Sequence, residues 1–366
     1  MLLKKSRLSA AGVSIVSVLS GALILSGCAS LSPSNSASDT PSQTPSPTPV
    51  YVTAPLTGLK FLEGTNPYLA GPAVMGKIDN SPEARPQVGL NQADIVFDEM
   101  VEGGMTRFLA VWHSQMPEQF GPVRSVRPMD PDIASPFIGI LCFSGGQAAF
   151  VQAMAKTRVF SATETNQQAD KTFKRVTDRF APHNVFVHAI KLQRLHLDIA
   201  APEAQFSYAD TLGGSSAFMT GSPVKMFTVN FPAANPTWTW SATANAWLRS
   251  YDNDKHIDAF DGSQVFARNV VVLKTKIDRS YKDYKYGNVP RTVLVGGGSG
   301  YVFSGGKKIS VTWVKKSQND RIQLLDSKGQ EVVMTAGNTW FELMPKDVGN
   351  LDVVAPKPTP TATPTN

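Results

Sequence analysis

The sequence predicts a mixed α/β (α+β) N-terminal domain followed by a β-rich, antiparallel C-terminal domain. Three observations carry this. Residues 73–197 combine alternating apolar runs with longer helix-like segments. Residues 226–343 hold a series of short strand-like runs divided by Gly, Asn and Asp turns. A Gly/Ser-rich stretch, Leu212-Gly213-Gly214-Ser215-Ser216, lies between the two regions.

In the first region Ala73–Ile78 has the composition of a buried strand. Asp94–Val101 and Thr106–Ser114 follow as two further strands, separated by Glu102-Gly103-Gly104-Met105, a hairpin signal. Ile138–Ser144 is a fourth short apolar run, and Ala148–Lys156 and Ala189–Leu197 are helix candidates. Thr157–Thr172 is polar and loop-like. In the second region the strand signals run from Met226–Phe231 to Asn338–Leu343. Gly296-Gly297-Gly298-Ser299-Gly300 is expected to be a turn or bulge, because no helix or Lys-Thr follows it. Trp238, Trp240, Trp247 and Trp313 fall at strand spacing and are expected to pack in the core.

The ends of the chain have a different character. Lys4, Lys5 and Arg7 precede an apolar stretch from Leu8 to Leu25, and Leu25-Ser26-Gly27-Cys28 closes it. This is the layout of a secretory signal, and its last four residues resemble the bacterial lipobox. Residues 1–27 are therefore expected to be a signal peptide and Cys28 the lipidated first residue of the mature chain. Acyl chains anchor by apolar burial, about 0.8 kcal/mol per CH₂, so two or three hold a protein stably. The expected location is the extracytoplasmic face of the cell membrane. Residues 28–54 form a Ser/Thr/Pro spacer, too poor in apolar side chains to fold. Such a linker spans about 28 Å as a coil and about 80 Å if polyproline-like. The expected domains are residues 55–215 and 216–350, with a Pro/Thr-rich tail at 351–366.

The formal charge of +6 overstates the mature protein, since the signal carries away Lys4, Lys5 and Arg7 and leaves about +3. That value suggests no nucleic-acid partner and is compatible with anionic envelope polymers. With Cys28 lipidated, Cys142 is the one remaining cysteine, which excludes an intramolecular disulfide. Its place in an apolar strand marks it as a buried, inert thiol.

Chemistry-bearing residues concentrate between Asp79 and Arg127. Glu99 interrupts the face Ile95, Phe97, Val101, and Arg107 interrupts the face Leu109, Val111. If Glu102, Gly103 and Gly104 form the loop, Glu99 faces Arg107 across the hairpin. That pair has two readings, a structural ion pair or part of a site. Gly121-Pro122-Val123-Arg124-Ser125-Val126-Arg127-Pro128 is bracketed by prolines that exclude regular helix. Its arginine forks suit phosphate or carboxylate, so Arg107, Arg124 and Arg127 are candidate anion ligands. The alternative partners of these arginines are Glu102, Asp130 and Asp132. Phe143-Ser144-Gly145-Gly146-Gln147 runs from strand to helix without a P-loop pattern. Ala181-Pro182-His183-Asn184 supplies His183, a structural or acid–base histidine, and Asn184, a candidate ligand contact. Candidate catalytic residues are Asp79, Glu99, Glu102 and His183; no metal-binding spacing such as HExxH is present.

Several of these pieces occur together in a recognisable order. Ala54-Pro55-Leu56-Thr57-Gly58, Ile78-Asp79-Asn80-Ser81-Pro82, Leu90-Asn91-Gln92-Ala93-Asp94, Val101-Glu102-Gly103-Gly104-Met105-Thr106-Arg107-Phe108 and Gly121-Pro122-Val123-Arg124-Ser125 are followed by Ser144-Gly145-Gly146-Gln147 and Ala181-Pro182-His183-Asn184. Asp261-Gly262-Ser263-Gln264 and Lys307-Lys308-Ile309-Ser310-Val311-Thr312-Trp313 come later. From Pro55 to Leu343 the chain resembles the YerB-like lipoproteins (DUF3048). The resemblance implies two domains of unknown function and brings no reaction with it. Lys77 departs from the pattern, which has an apolar residue there. The order of acidic strand, arginine strand and Arg-Ser-x-Arg-Pro is also similar to the LytR-CpsA-Psr enzymes. That similarity implies arginines holding a polyprenyl pyrophosphate and magnesium held by acids among Asp79, Glu99 and Glu102.

Two functions follow. The first is an envelope lipoprotein that binds an anionic cell-wall component or an envelope protein and needs no cofactor. The alternative is a metal-dependent phosphotransferase or hydrolase acting on a polyprenyl phosphate or cell-wall polymer, with magnesium as its metal.

Overall fold

The computed structural model describes residues 48–283 and 287–357. The predicted signal, the Cys28 lipidation site, most of the Ser/Thr/Pro linker and the last nine positions of the tail lie outside the described residues. Among the described residues strand predominates, and the α-helices are short, five to eight residues each. No helix among them is long and apolar enough to cross a membrane.

A twelve-stranded sheet runs through the molecule. The first half of the sequence contributes β1 (Val74–Asp79), β2 (Ile95–Met100), β3 (Thr106–Trp112), β4 (Ile140–Cys142) and β5 (Phe160–Ala162). The second half builds another sheet from β6 (Met226–Asn230), β7 (Pro236–Ser241), β8 (Ala246–Tyr251) and, at the C-terminal end, β13 (Asn350–Val354). It also supplies the large sheet with β9 (Asn269–Asp278), β10 (Gly296–Ser304), β11 (Lys307–Lys315) and β12 (Thr339–Pro345). Nine of its twelve strands follow the order β11-β10-β9-β12-β2-β3-β1-β4-β5. Strands from both sides of position 215 thus hydrogen-bond in one sheet, joined where β12 lies against β2.

The strand positions follow the apolar alternation closely; Tyr51–Thr53 of the expected spacer and Leu351–Val354 of the expected tail are in strands as well, and two further expectations are corrected. β12 pairs parallel with both β9 and β2, so the second half is not purely antiparallel. All seven β12 residues are buried, the pattern of a strand covered on both faces, and such strands favour parallel pairing. Gly296–Gly300 is not a turn but the start of β10. A Cβ at Gly300 would stand 2.5 Å from the Val272 carbonyl oxygen, so the glycine permits close approach of backbone within a strand.

Two apolar layers cover the large sheet. On one face Val96, Phe108, Ala110, Val270 and Trp340 pack against Phe227, Trp238 and Trp247 of the second sheet. On the other face Met75, Ile95, Phe97, Leu109 and Phe341 pack beneath α1 (Asp130–Ala134) and α2 (Ala148–Ala155). Trp313 is also buried. Charged side chains break both layers at one end of β1, β2 and β3, and the candidate site is built there.

Candidate functional site

The register sets three charged residues side by side. β3 lies between β2 and β1, and Arg107 faces Glu99 on one side and Asp79 on the other. This is the hairpin register expected from a three-residue loop; Val101 N–H donates to the Met105 carbonyl and closes it. The ion partners differ from the expected pair. Glu99 contacts Lys77, which reaches over the intervening strand and also bonds Asp130 Oδ1 at 2.8 Å. Lys77 and Glu99 are wholly buried, as is Asp130. Burial lowers the Lys77 ammonium to about 8, opposed by Asp130 and reinforced by Arg107 and Arg127.

Arg107 is therefore left over. It is 8% exposed, its Nη1 donates to the Ser125 carbonyl at 3.0 Å, and no carboxylate lies within ion-pair distance among the described residues. Burial lowers its guanidinium to about 10, and repulsion from Arg127 and Arg124 adds to the shift. A buried guanidinium without a counter-charge carries a large desolvation cost.

The segment carrying Arg124 and Arg127 is held like an extra strand. Arg124 N–H donates to the Lys77 carbonyl at 2.8 Å, and Ser144 N–H donates to the Arg124 carbonyl at 3.0 Å. Arg124 Nε lies 3.0 Å from Asp79 Oδ2. Arg127 Nε donates to Glu102 Oε2 at 2.8 Å, and its backbone N–H to Asp130 Oδ2 at 2.5 Å. Asp132, another expected partner, pairs instead with Arg291 at 3.0 Å.

These side chains surround an open cleft of about 450 Å³. Glu102, Arg107, Arg124 and Arg127 line it, together with Gly146 and Gln147. Gln147 is the N-cap of α2 and makes no side-chain cap bond; its carbonyl accepts from the N–H groups of Phe150 and Val151. Gly146 has φ +157°, and a Cβ there would stand 2.9 Å from Val126 Cγ2.

His183 lies beside the arginines without lining the cleft. Its Nδ1 is 2.7 Å from Asp79 Oδ2, so Asp79 holds both His183 and Arg124. Ser81 Oγ is 3.3 Å from the same Nδ1. A serine–histidine–aspartate relay needs the two partners on opposite ring nitrogens, and this grouping lacks that geometry. Asn184 is spent elsewhere: its Oδ1 accepts from Arg175 Nη1 at 3.0 Å, and its Nδ2 donates to the Val176 carbonyl at 3.2 Å. The three arginines are thus brought together, while Asn184 is not among them. Asp79, Glu99 and Glu102 each lie against a cation, and no cluster of three metal-ligating side chains occurs among the described residues.

A second charged group, overlooked by the sequence reading, sits on the opposite face. Arg249 of β8 donates through Nη2 to Asp98 Oδ2 at 2.6 Å, and its Nε is 3.7 Å from Glu342 Oε1. Glu342 also accepts from Trp238 Nε1 at 2.8 Å. Arg249 Nη1 donates to His256 Nδ1 at 3.0 Å, and His256 Nε2 bonds Gln87 Oε1 at 2.7 Å. Burial keeps His256 neutral, its pKa held well below that of a free imidazole, with Arg249 and Arg85 adding to the shift. Burial and the nearby Asp98 push Glu342 up to about 8, and burial raises Asp98 as well, with Arg249 opposing both shifts. The group is sealed from solvent and joins the two sheets. Glu342 in Trp340-Phe341-Glu342-Leu343 carries the same signal as Glu99, a lone acid in an apolar strand.

Residues 56–202 match the family described as "Protein of unknown function (DUF3048) N-terminal domain", and residues 227–341 match its C-terminal counterpart. A Bacillus subtilis (strain 168) protein named "Putative lipoprotein YerB" is 27% identical over 307 residues, spanning 80% of this chain and 86% of that protein. The crystal structure of YerB from Bacillus subtilis superposes with a TM-score of 0.69 at 24% identity, covering 82% of this chain and 99% of the other. That likeness establishes a shared fold.

Proposed function

The chain belongs to the DUF3048 family, and we propose that it is a cell-envelope lipoprotein, anchored through Cys28, whose arginine cleft binds an oxyanion of an envelope component. The carrying observation is Arg107, nine-tenths buried, lacking a carboxylate partner among the described residues and lining a cleft with Arg124 and Arg127. Planar guanidinium forks suit phosphate chemistry. A relative named as a lipoprotein supports the anchoring part of the reading.

A binding role is favoured over metal-dependent phosphoryl transfer. Asp79, Glu99 and Glu102 would be the metal-holding acids, yet each is already engaged by Arg124, Lys77 or Arg127. The test is titration calorimetry of the full-length chain in detergent with inorganic phosphate, repeated with Arg107→Met. Saturable binding that weakens as salt rises, and that is lost in Arg107→Met, is the expected result. Equal affinity in both proteins, or none in either at millimolar phosphate, would end the proposal.

A further inference from the structure

We infer that Glu102 is an internal competitor for the anion site, occupying Arg127 until a ligand displaces it; this rests on the anion-binding reading. Three observations point to it. Glu102 lines the cleft, and the Arg127 Nε hydrogen bond at 2.8 Å is the side-chain bond its carboxylate makes among the described residues. A carboxylate held by a guanidinium inside an arginine-lined cleft presents the chemistry expected of a ligand oxyanion.

The carboxylate also sits on a hairpin loop rather than on a core strand. It belongs to the loop Glu102-Gly103-Gly104, in which Gly103 has φ +72° and Gly104 φ +74°. A Cβ on Gly103 would meet nothing closer than Met105 Cε at 4.0 Å, so the loop tip is unpacked. Gly104 is different. Its carbonyl accepts from Ala233 N–H at 3.0 Å, and a Cβ there would stand 2.7 Å from Pro232 Cβ. The Gly104 side of the loop is therefore fixed to the second half of the chain, while the Glu102 carboxylate makes no side-chain bond besides that to Arg127 among the described residues.

The neighbouring carboxylates have no such freedom. Asp79 ends a core strand and accepts from Ser81 N–H, while Glu99 is wholly buried against Lys77. Among the cleft's arginines, Arg127 is the one whose partner can leave without unpacking the sheet. An oxyanion that spans Arg107 and Arg127 then replaces Glu102 in place and gains the unpaired Arg107 besides.

The experiment titrates inorganic phosphate into the full-length chain, Glu102→Gln and Asp178→Asn. Asp178 is exposed on the neighbouring 176–183 turn and outside the cleft, so its variant controls for removal of one negative charge. The expected result is affinity about tenfold tighter for Glu102→Gln, the weight of one charge-assisted hydrogen bond no longer broken, and less than twofold change for Asp178→Asn. If phosphate binds wild type and Glu102→Gln equally, or binds the two variants equally, the competitor role is overturned while the anion site stands. If phosphate binds none of the three proteins, the site and the competitor fall together.

Discussion

Arg249 donates to Asp98 at 2.6 Å with both side chains wholly buried, and the bond ties the second sheet to a strand laid down 151 positions earlier. Removing the cation would leave Asp98 and Glu342 facing each other without a counter-charge. Breaking a buried pair from one side costs roughly 3–5 kcal/mol. Arg249→Met is expected to lower the unfolding free energy by that amount in urea titrations. The triple variant with Asp98→Leu and Glu342→Leu should recover most of the loss, since an apolar replacement of the whole group removes the desolvation cost too. A loss below about 1 kcal/mol for Arg249→Met would mean the group is not the joint described above.

Stability should fall as pH rises from 6.5 to 8. Glu342 is held up to about 8 by burial, against 4.5 for a free glutamic acid. The folded state keeps that proton longer than the unfolded chain, so its contribution is complete below 4.5 and is lost as pH passes 8. Asp94, buried and lifted to about 7, acts in the same direction at the lower end of the window. His113, lowered by burial to about 4, gives the opposite slope below 6.5, and Lys77 and Lys315, lowered by burial to about 8, oppose the decline only at the top of the window. The slope from one such group is at most about 1.4 kcal/mol per pH unit. Urea midpoints at pH 6.5, 7.2 and 8.0 check this, and Glu342→Gln should flatten the decline. A rising midpoint over the same range would contradict it.

Arg107→Met should separate stability from binding. Burial and two neighbouring arginines disfavour the Arg107 charge, and the Ser125 carbonyl is its one hydrogen-bond acceptor among the described residues. Methionine fills similar volume without the charge. In phosphate-free buffer the variant is expected to unfold at higher urea, a gain on the order of 1 kcal/mol, while losing phosphate binding. A guanidinium retained for packing would show the reverse, a less stable variant, and that result would remove the main support for the anion site.

Much of the strand framework was legible because period-two alternation and Gly-rich turns are local. The β2–β3 register followed from loop length alone, and it put Glu99 opposite Arg107 as expected. The actual partner of Glu99 was not legible. Lys77 reaches it across β3, and no sequence spacing encodes a side chain crossing an intervening strand. Lys77 did stand out as a cation in an apolar strand, which was the usable signal. Arg249 and Glu342 carried the same signal. Their common partner, Asp98, became visible only once β12 was known to lie parallel beside β2, and parallel neighbours share no turn that would announce them. Asn184 was grouped with the arginines by proximity to His183, yet its amide is consumed by the backbone and side chain of its own loop.

Cys142 offers a probe of how tightly the layer beside the cleft is closed. It lies in β4 with no exposed surface, and burial raises its thiol well above the ordinary range. The thiolate is the reactive species, so both access and ionisation work against modification. The chain has two cysteines, and Cys28→Ser leaves Cys142 as the sole thiol. That protein is expected to release no colour from a disulfide reagent such as DTNB in native buffer, and one equivalent per chain once unfolded in urea. Because β4 pairs with β1 directly beneath the arginine segment, slow native-state labelling would measure opening of the sheet at the site. Added phosphate should slow that labelling further if the cleft binds it, since a ligand bound to the closed form lowers the open population by mass action. Native labelling as fast as that of a free thiol would show that β4 is not part of a closed sheet.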